Sequence, residues 1–150
     1  MTAYPDTSFL FAVYVKQSNS GAAATYASRM KEPLAVTELL AYEFRQAIRF
    51  QVWRNSANPR EGISFADAQS ALNQFEADLA TGVARLAVCN FQDVFRLADG
   101  LSKRHTFTGG HRSFDVLHVA TALHLGVREF LTFDVNQRKL AAAEKMKSKP

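Results

Sequence analysis

Short apolar segments give way to longer helix-patterned stretches about four times along this chain, and that alternation restricts the fold more than any other feature. The segment "AYPDTSFLFAVYV" starts extended and passes at Asp6-Thr7-Ser8 into an apolar helical pattern, with side chains suited to cap a helix. "PLAVTEL" reads as a short buried strand with Pro33 at its start, and "VARLAVC" and "REFLTFD" read as two more strands. Between them, residues 38–54 repeat apolar side chains at Leu40, Phe44, Ala47/Ile48 and Val52, the spacing of a helix. Residues 64–82 start at Ser64 or Asp67 and stop at Gly82, again as a helix. Helices are also expected over 90–105, 112–126 and 136–147. "NSG" at 19–21 marks a break or loop, "NSANPREG" a loop, and "TFTGG" at 106–110 a flexible loop. Strands alternating with helices predict an α/β fold, a three-layer α/β/α domain with a mainly parallel central sheet. Sites in such folds lie beyond the carboxyl ends of the strands.

The length of 150 residues fits one domain spanning 1–150, and a 47% hydrophobic content with 12 Phe suffices for one core. The single cysteine, Cys89, excludes an intrachain disulfide and a cysteine-rich zinc site, and it favours a reducing compartment. The first ten residues lack the basic start of a secretion signal, and no apolar run approaches the ~20 residues of a membrane span. A soluble, cytoplasmic protein without membrane association is expected. The formal charge of +4 is unevenly spread. Basic residues outnumber acids in 29–60 and again in 128–150, surfaces that would attract a polyanion such as RNA.

Four acids fall where the fold places its chemistry. Asp6 follows the first strand, Glu43 lies in the helix after the second, Asp115 sits in the first turn of a helix, and Asp134 closes the last strand. Each has an ordinary explanation. Asp6 suits a helix cap, Asp115 offsets a helix dipole with Ser113 as cap, and Asp134 supports the next helix or pairs with Arg138. Glu43 is harder to explain, because Leu39, Leu40, Gln46 and Ala47 offer it no cation one turn away. If all four converge, their charges require compensation, and a hard divalent cation such as Mg²⁺ or Mn²⁺ supplies it. Such an ion activates water and neutralises charge on a phosphodiester under attack.

The stretches "PDTSFLFA", "AVTELLAYEFRQAI", "RSFDVLHVATALHLG" and "FLTFDVNQRKLA" together resemble the PIN-domain ribonucleases, most closely the VapC-like toxins of bacterial toxin–antitoxin pairs. They occur in the family's order over nearly the whole chain. The resemblance implies that Asp6, Glu43, Asp115 and Asp134 are the acidic positions, with Asp6 and Asp115 on the metal and Glu43 and Asp134 acting through water. Glu38 also lies nearby, but Glu43 better matches the spacing after "VT". Thr7 or Ser8, and Thr132, match hydroxyl residues that support the metal's waters. The resemblance further implies Mg²⁺- or Mn²⁺-dependent cleavage of RNA, a homodimer, and a small antitoxin partner whose tail fills the acidic groove.

Arg45 and Arg49, one turn apart near Glu43, and Arg112, beside His111, are candidate contacts to RNA phosphate; simple solvation explains them equally. His118, at i+3 from Asp115, can reach the acids but reads as a packed, hydrogen-bonded residue, and Trp53 as a dimer or antitoxin contact. A receiver domain would need a Lys after a late strand, and a haloacid-dehalogenase-type phosphatase an Asp where Ser8 stands. The remaining alternatives are an RNA-processing nuclease of the same fold and a non-catalytic module that binds RNA or protein.

Overall fold

The computed structural model describes residues 1–150. The chain runs β1 (Ala3–Pro5), α1 (Thr7–Tyr14), α2 (Ser20–Ala27), β2 (Leu34–Val36), α3 (Glu38–Ala57), α4 (Phe65–Thr81), β3 (Ala84–Leu86), α5 (Phe91–Gly109), α6 (Ser113–His124), β4 (Glu129–Leu131), α7 (Val135–Ala143) and β5 (Lys147–Lys149). All registered strand pairs are parallel: β1 with β4, β4 with β5, and β2 with β3. β1 also lies alongside β2, so the two ladders meet in the order β5-β4-β1-β2-β3. Helices α1–α4 pack among themselves, as do α5–α7, and they flank the sheet as the outer layers of a three-layer α/β/α fold. A cluster of 30 buried residues joins both helix groups to the strands.

The strands are only three residues long, and a helix follows β1, β2 and β4 almost at once. The residue between strand and helix therefore serves as a helix N-cap and stands at the carboxyl edge of the sheet. Asp6 caps α1 through the Phe9 N–H at 2.9 Å, Thr37 caps α3 through the Leu40 N–H at 3.3 Å, and Asp134 caps α7 through the N–H groups of Asn136 and Gln137. Cap chemistry and site chemistry thus fall on the same residues.

Four expectations require correction. The loop expected at 106–110 is the last turn of α5, which runs to Gly109 and ends on Gly110 at φ 65°. The final helix stops at Ala143, and Lys147–Lys149 form a fifth strand along β4. Its sequence, Lys-Ser-Lys, carries no apolar pattern, and it pairs with β4 through its backbone at the edge of the sheet. Of "NSG", only Asn19 lies outside a helix: Ser20 and Gly21 open α2, which buries only Ala23 and so shows no helical stripe. β3 is shorter than "VARLAVC", with Arg85 and Leu86 exposed at the other edge of the sheet.

The α3–α4 connection folds back onto α3, where the Ile63 N–H meets the Gln51 carbonyl at 3.3 Å. Gly62 makes this possible: its φ is +66°, and a Cβ there would stand 2.0 Å from the Gln51 carbonyl oxygen. Gly62→Ala is expected to cost about 1–3 kcal/mol, read as a lower urea midpoint with an unchanged slope.

Candidate active site

The carboxyl edge of the sheet gathers residues from α1, α3 and α6 and from the junctions that follow β1, β2 and β4. Asp6 is fully buried between β1 and α1. Its Oδ1 accepts from the Phe9 N–H at 2.9 Å and the Ser8 hydroxyl at 2.7 Å, and its Oδ2 accepts from the Thr132 hydroxyl, contributed by the end of β4. Thr132 in turn accepts from the Asp134 N–H at 2.9 Å, and Ser8 from the Phe133 N–H at 2.8 Å. The end of β4 is thereby tied to the end of β1 at the level of the acids.

Glu43 lies on the face of α3 turned toward this edge. Its Oε2 accepts from the Thr7 hydroxyl and from His118 Nε2. His118 is fully buried on α6, one turn beyond Asp115, and its Nδ1 stands 3.3 Å from the Tyr4 hydroxyl. That hydroxyl lies 3.0 Å from Thr37, completing a buried Glu43–His118–Tyr4–Thr37 chain. The missing partner of Glu43 is thus a residue 75 positions away. His118 packs and hydrogen-bonds as its place in the helix suggested. Tyr4 and Thr37 did not stand out in the sequence, since the one reads as a strand residue and the other as a cap. Glu38 is exposed in the first turn of α3, away from the cluster.

Asp115, 4% exposed, accepts from both the Arg112 N–H and the Arg112 Nε at 3.2 Å through the same oxygen, Oδ2. The helix cap is therefore Arg112 and not Ser113. Arg112 Nη2 also lies 3.9 Å from Asp134 Oδ2, so one guanidinium links the third and fourth acids. Asp134 caps α7 and does not pair with Arg138, whose Nη2 bonds the Thr132 carbonyl at 2.8 Å.

A pattern runs through all four carboxylates. Each is anchored by local partners: Asp6 through both oxygens, Glu43 through Oε2, Asp115 through Oδ2 and Asp134 through Oδ1. The second oxygen of Glu43 and of Asp115 takes no hydrogen bond, that of Asp134 meets only the long Arg112 contact, and that of Asp6 meets only Thr132. The hydroxyls of Thr7, Ser8 and Thr132 thus act on the carboxylates themselves. Whether or not they also support metal-bound water, they fix the acids in place.

The electrostatics follow from burial and partners. Burial pushes Asp6 above the usual carboxylate range, only partly offset by Thr132, Ser8, the Phe9 N–H and the charge of His118. Burial acts in the same direction on Glu43, but there the hydrogen bond and charge of His118, then Thr7 and Arg112, prevail and hold it below its usual value. Burial raises Tyr4 out of the titrating range. The sign for Glu43 gives a prediction. Its stabilising contribution is present above about pH 4.5 and is lost as pH falls through its depressed folded value. The stability difference between wild type and Glu43→Gln, measured by urea unfolding, is expected to be large at pH 7 and to shrink below pH 4.

The donor set suits a hard divalent ion: all oxygen, all carboxylate, drawn from separate elements. As the side chains stand, no three of the acids or histidines are close enough together to enclose an ion. That is compatible with Mg²⁺, which keeps several waters and takes only one or two protein carboxylates directly. The structure brings Arg112 to the acids but not Arg45. Two residues along a helix turn through about 200°, and Arg45 faces α4, where it pairs with Glu76 at 2.8 Å and lies over the Phe75 ring. Arg49 is exposed on the same side of α3.

The family model for the PIN domain matches residues 3–143. The chain belongs to the PIN domain family. Solved structures agree on the fold over 99% of this PIN domain. VapC20 of Mycobacterium tuberculosis, described as a sarcin-ricin loop cleaving toxin, superposes with a TM-score of 0.67 at 18% identity and is covered over its full length, 100%. VapBC-1 from nontypeable Haemophilus influenzae gives 0.65 at 12% identity, with 97% of that chain covered. FitAcB from Neisseria gonorrhoeae gives 0.62 at 14%, also with 97% covered. No curated protein sequence matches this PIN domain. None of its helices is long and apolar enough to cross a membrane.

Proposed function

We propose that this PIN domain is a metal-dependent endoribonuclease that hydrolyses RNA phosphodiesters, and that it is the toxin of a toxin–antitoxin pair. The observation that carries the reading is the arrival of four carboxylates from separate elements, Asp6, Glu43, Asp115 and Asp134, at one carboxyl edge of the sheet. Glu43, Asp115 and Asp134 each keep one oxygen free of hydrogen bonds at that edge, while Asp6 is held through both of its oxygens by Phe9, Ser8 and Thr132. Asp6 and Asp115 would hold Mg²⁺ or Mn²⁺ directly, with Glu43 and Asp134 acting through bound water. When bound, the ion would supply an activated water and neutralise phosphate charge. The chain's own contribution is orientation. Thr132 and Ser8 fix Asp6, His118 and Thr7 fix Glu43, and the buried setting keeps these groups from rearranging. The excess of basic residues over acids in 29–60 and 128–150 supports a polyanionic substrate.

The toxin assignment rests on likeness to VapC20, VapBC-1 and FitAcB, all of the same fold. It brings with it an antitoxin and a second copy of the chain as partners, in the cytoplasm. The exposed, stacked Phe50 and Trp53 on α3, with ring centroids 5.3 Å apart, offer an apolar surface for such contacts. The test is incubation of purified protein with total RNA in Mg²⁺, in Mn²⁺, and in excess EDTA. Discrete metal-dependent cuts are expected, and intact RNA under every metal condition would refute the nuclease reading. A small open reading frame next to the gene whose product, on co-expression, co-purifies and abolishes cleavage would distinguish a toxin from a housekeeping nuclease.

A further inference from the structure

A cation already stands in the acidic edge. The Arg112 guanidinium places Nε 3.2 Å from Asp115 Oδ2 and Nη2 3.9 Å from Asp134 Oδ2, and its charge also acts on Glu43. An arginine cannot shed its proton, so this charge is permanent. Yet the side chain is 77% exposed, whereas that of Asp115 is 6% exposed. An ion pair this open, with one contact near 4 Å, is weakly held. Arg112 also follows closely on the left-handed Gly110 that ends α5, and its backbone N–H bonds Asp115 independently of its guanidinium. The guanidinium can leave while the helix start stays intact. A divalent ion bound by Asp115 near Asp134 would meet a positive charge a few ångströms away, and like charges at that distance repel strongly outside bulk water.

We propose that Arg112 is the resident counter-cation of this site: it competes with the divalent ion for Asp115 and Asp134, and, once displaced, it offers its planar fork to an RNA phosphate beside the ion. The inference rests on the reading of the acids as a metal site. It assigns Arg112 two positions, of which the structure shows the first. An arginine fork suits a phosphate as well as it suits a carboxylate, so the displaced group has a partner of matching geometry on the substrate.

Two measurements on the full chain test it, neither of which requires turnover. The first is Mn²⁺ affinity, followed by the loss of free-ion signal in electron paramagnetic resonance, for wild type, Arg112→Ala, Arg112→Lys and Asp115→Asn. Arg112→Ala is expected to bind Mn²⁺ about two- to fivefold tighter, a range set by the weakness of exposed ion pairs. Arg112→Lys should fall between it and wild type, and Asp115→Asn should bind poorly. The second is the affinity for a fluorescent mixed-sequence 12-nucleotide RNA, with and without saturating Ca²⁺. Arg112→Ala should weaken RNA binding only when Ca²⁺ is present, because without the ion Arg112 is engaged by the acids in any case. Equal or weaker Mn²⁺ binding by Arg112→Ala would overturn the competition, and equal loss of RNA binding with and without Ca²⁺ would overturn the displacement. Wild type that binds no Mn²⁺ would overturn the metal reading and this inference with it, whereas wild type that binds Mn²⁺ like Arg112→Ala would overturn the inference alone.

Discussion

Asp6→Asn and Asp115→Asn are each expected to lower metal-dependent RNA cleavage on the order of a thousandfold while leaving the protein folded. The size follows from the role. Stabilisation of developing charge by a bound ion is worth several kcal/mol, and each 1.36 kcal/mol is a factor of ten in rate. The choice of asparagine follows from the hydrogen bonds. In Asp6→Asn the amide carbonyl keeps the Phe9 and Ser8 bonds made by Oδ1, and the Thr132 hydroxyl can turn to accept from the new NH₂ group. Because burial disfavours the charged form of Asp6, the neutral variant should melt at or above the wild-type temperature. Activity and stability are thereby predicted to move apart. Cleavage by either variant within tenfold of wild type would remove these acids from the chemistry, and a collapsed melting temperature for Asp6→Asn would show that its charge serves the fold.

Phe44→Ala is expected to have the largest effect on stability. Phe44 is fully buried where α1, α3 and α4 meet, with its ring centroid 5.5 Å from Tyr14 and 4.9 Å from Phe75. Phe75 and Tyr14 also meet edge-on at 5.4 Å, so truncation removes one member of a closed aromatic triad. The Tyr14 hydroxyl donates to Asp78 at 2.8 Å, which restrains the triad from collapsing into the gap. A truncation of this kind costs about 3–5 kcal/mol. For a domain of this size that is a fall of roughly 6–20 °C in melting temperature, measurable by calorimetry. Glu43 is the neighbouring residue on α3, so Mn²⁺ affinity is expected to fall as well. A shift of only a degree or two would mean that the triad repacks.

Three of the candidate acids follow a readable signal in the sequence, and Glu43 stands out by having no cation one turn away. Asp6 and Asp134 are polar residues at the ends of apolar runs, and Asp115 opens an amphipathic helix. The parallel sheet was legible for the same reason, since apolar strands alternating with helices leave few other solutions. Elements that bury little were not. β5 is held by backbone hydrogen bonds that Lys147, Ser148 and Lys149 do not announce, and α2 buries a single alanine. The end of α5 was hidden by the two glycines of "TFTGG", because Gly109 is tolerated inside the last turn and only Gly110 leaves the helix. The partners within the site were the least legible. Glu43 and His118 meet across 75 residues, and Arg45, apparently close to Glu43 along the chain, points to the other side of the same helix. Sequence distance along a helix misleads at two residues and informs at three or four.

The bond from Thr132 to Asp6 spans 126 positions, nearly the length of the chain. It has a consequence for the order of events during synthesis. A chain still growing on a ribosome can form α1 and α3 early, but the edge that fixes Asp6 and Asp134 cannot close until β4 has been made and has slid in beside β1. The acidic edge is therefore assembled last, and a prematurely terminated product that lacks β4 carries Asp6, Glu43 and Asp115 without the scaffold that joins them. For a protein read as cutting RNA, this topology withholds the completed site from the translating message that encodes it until synthesis is nearly over.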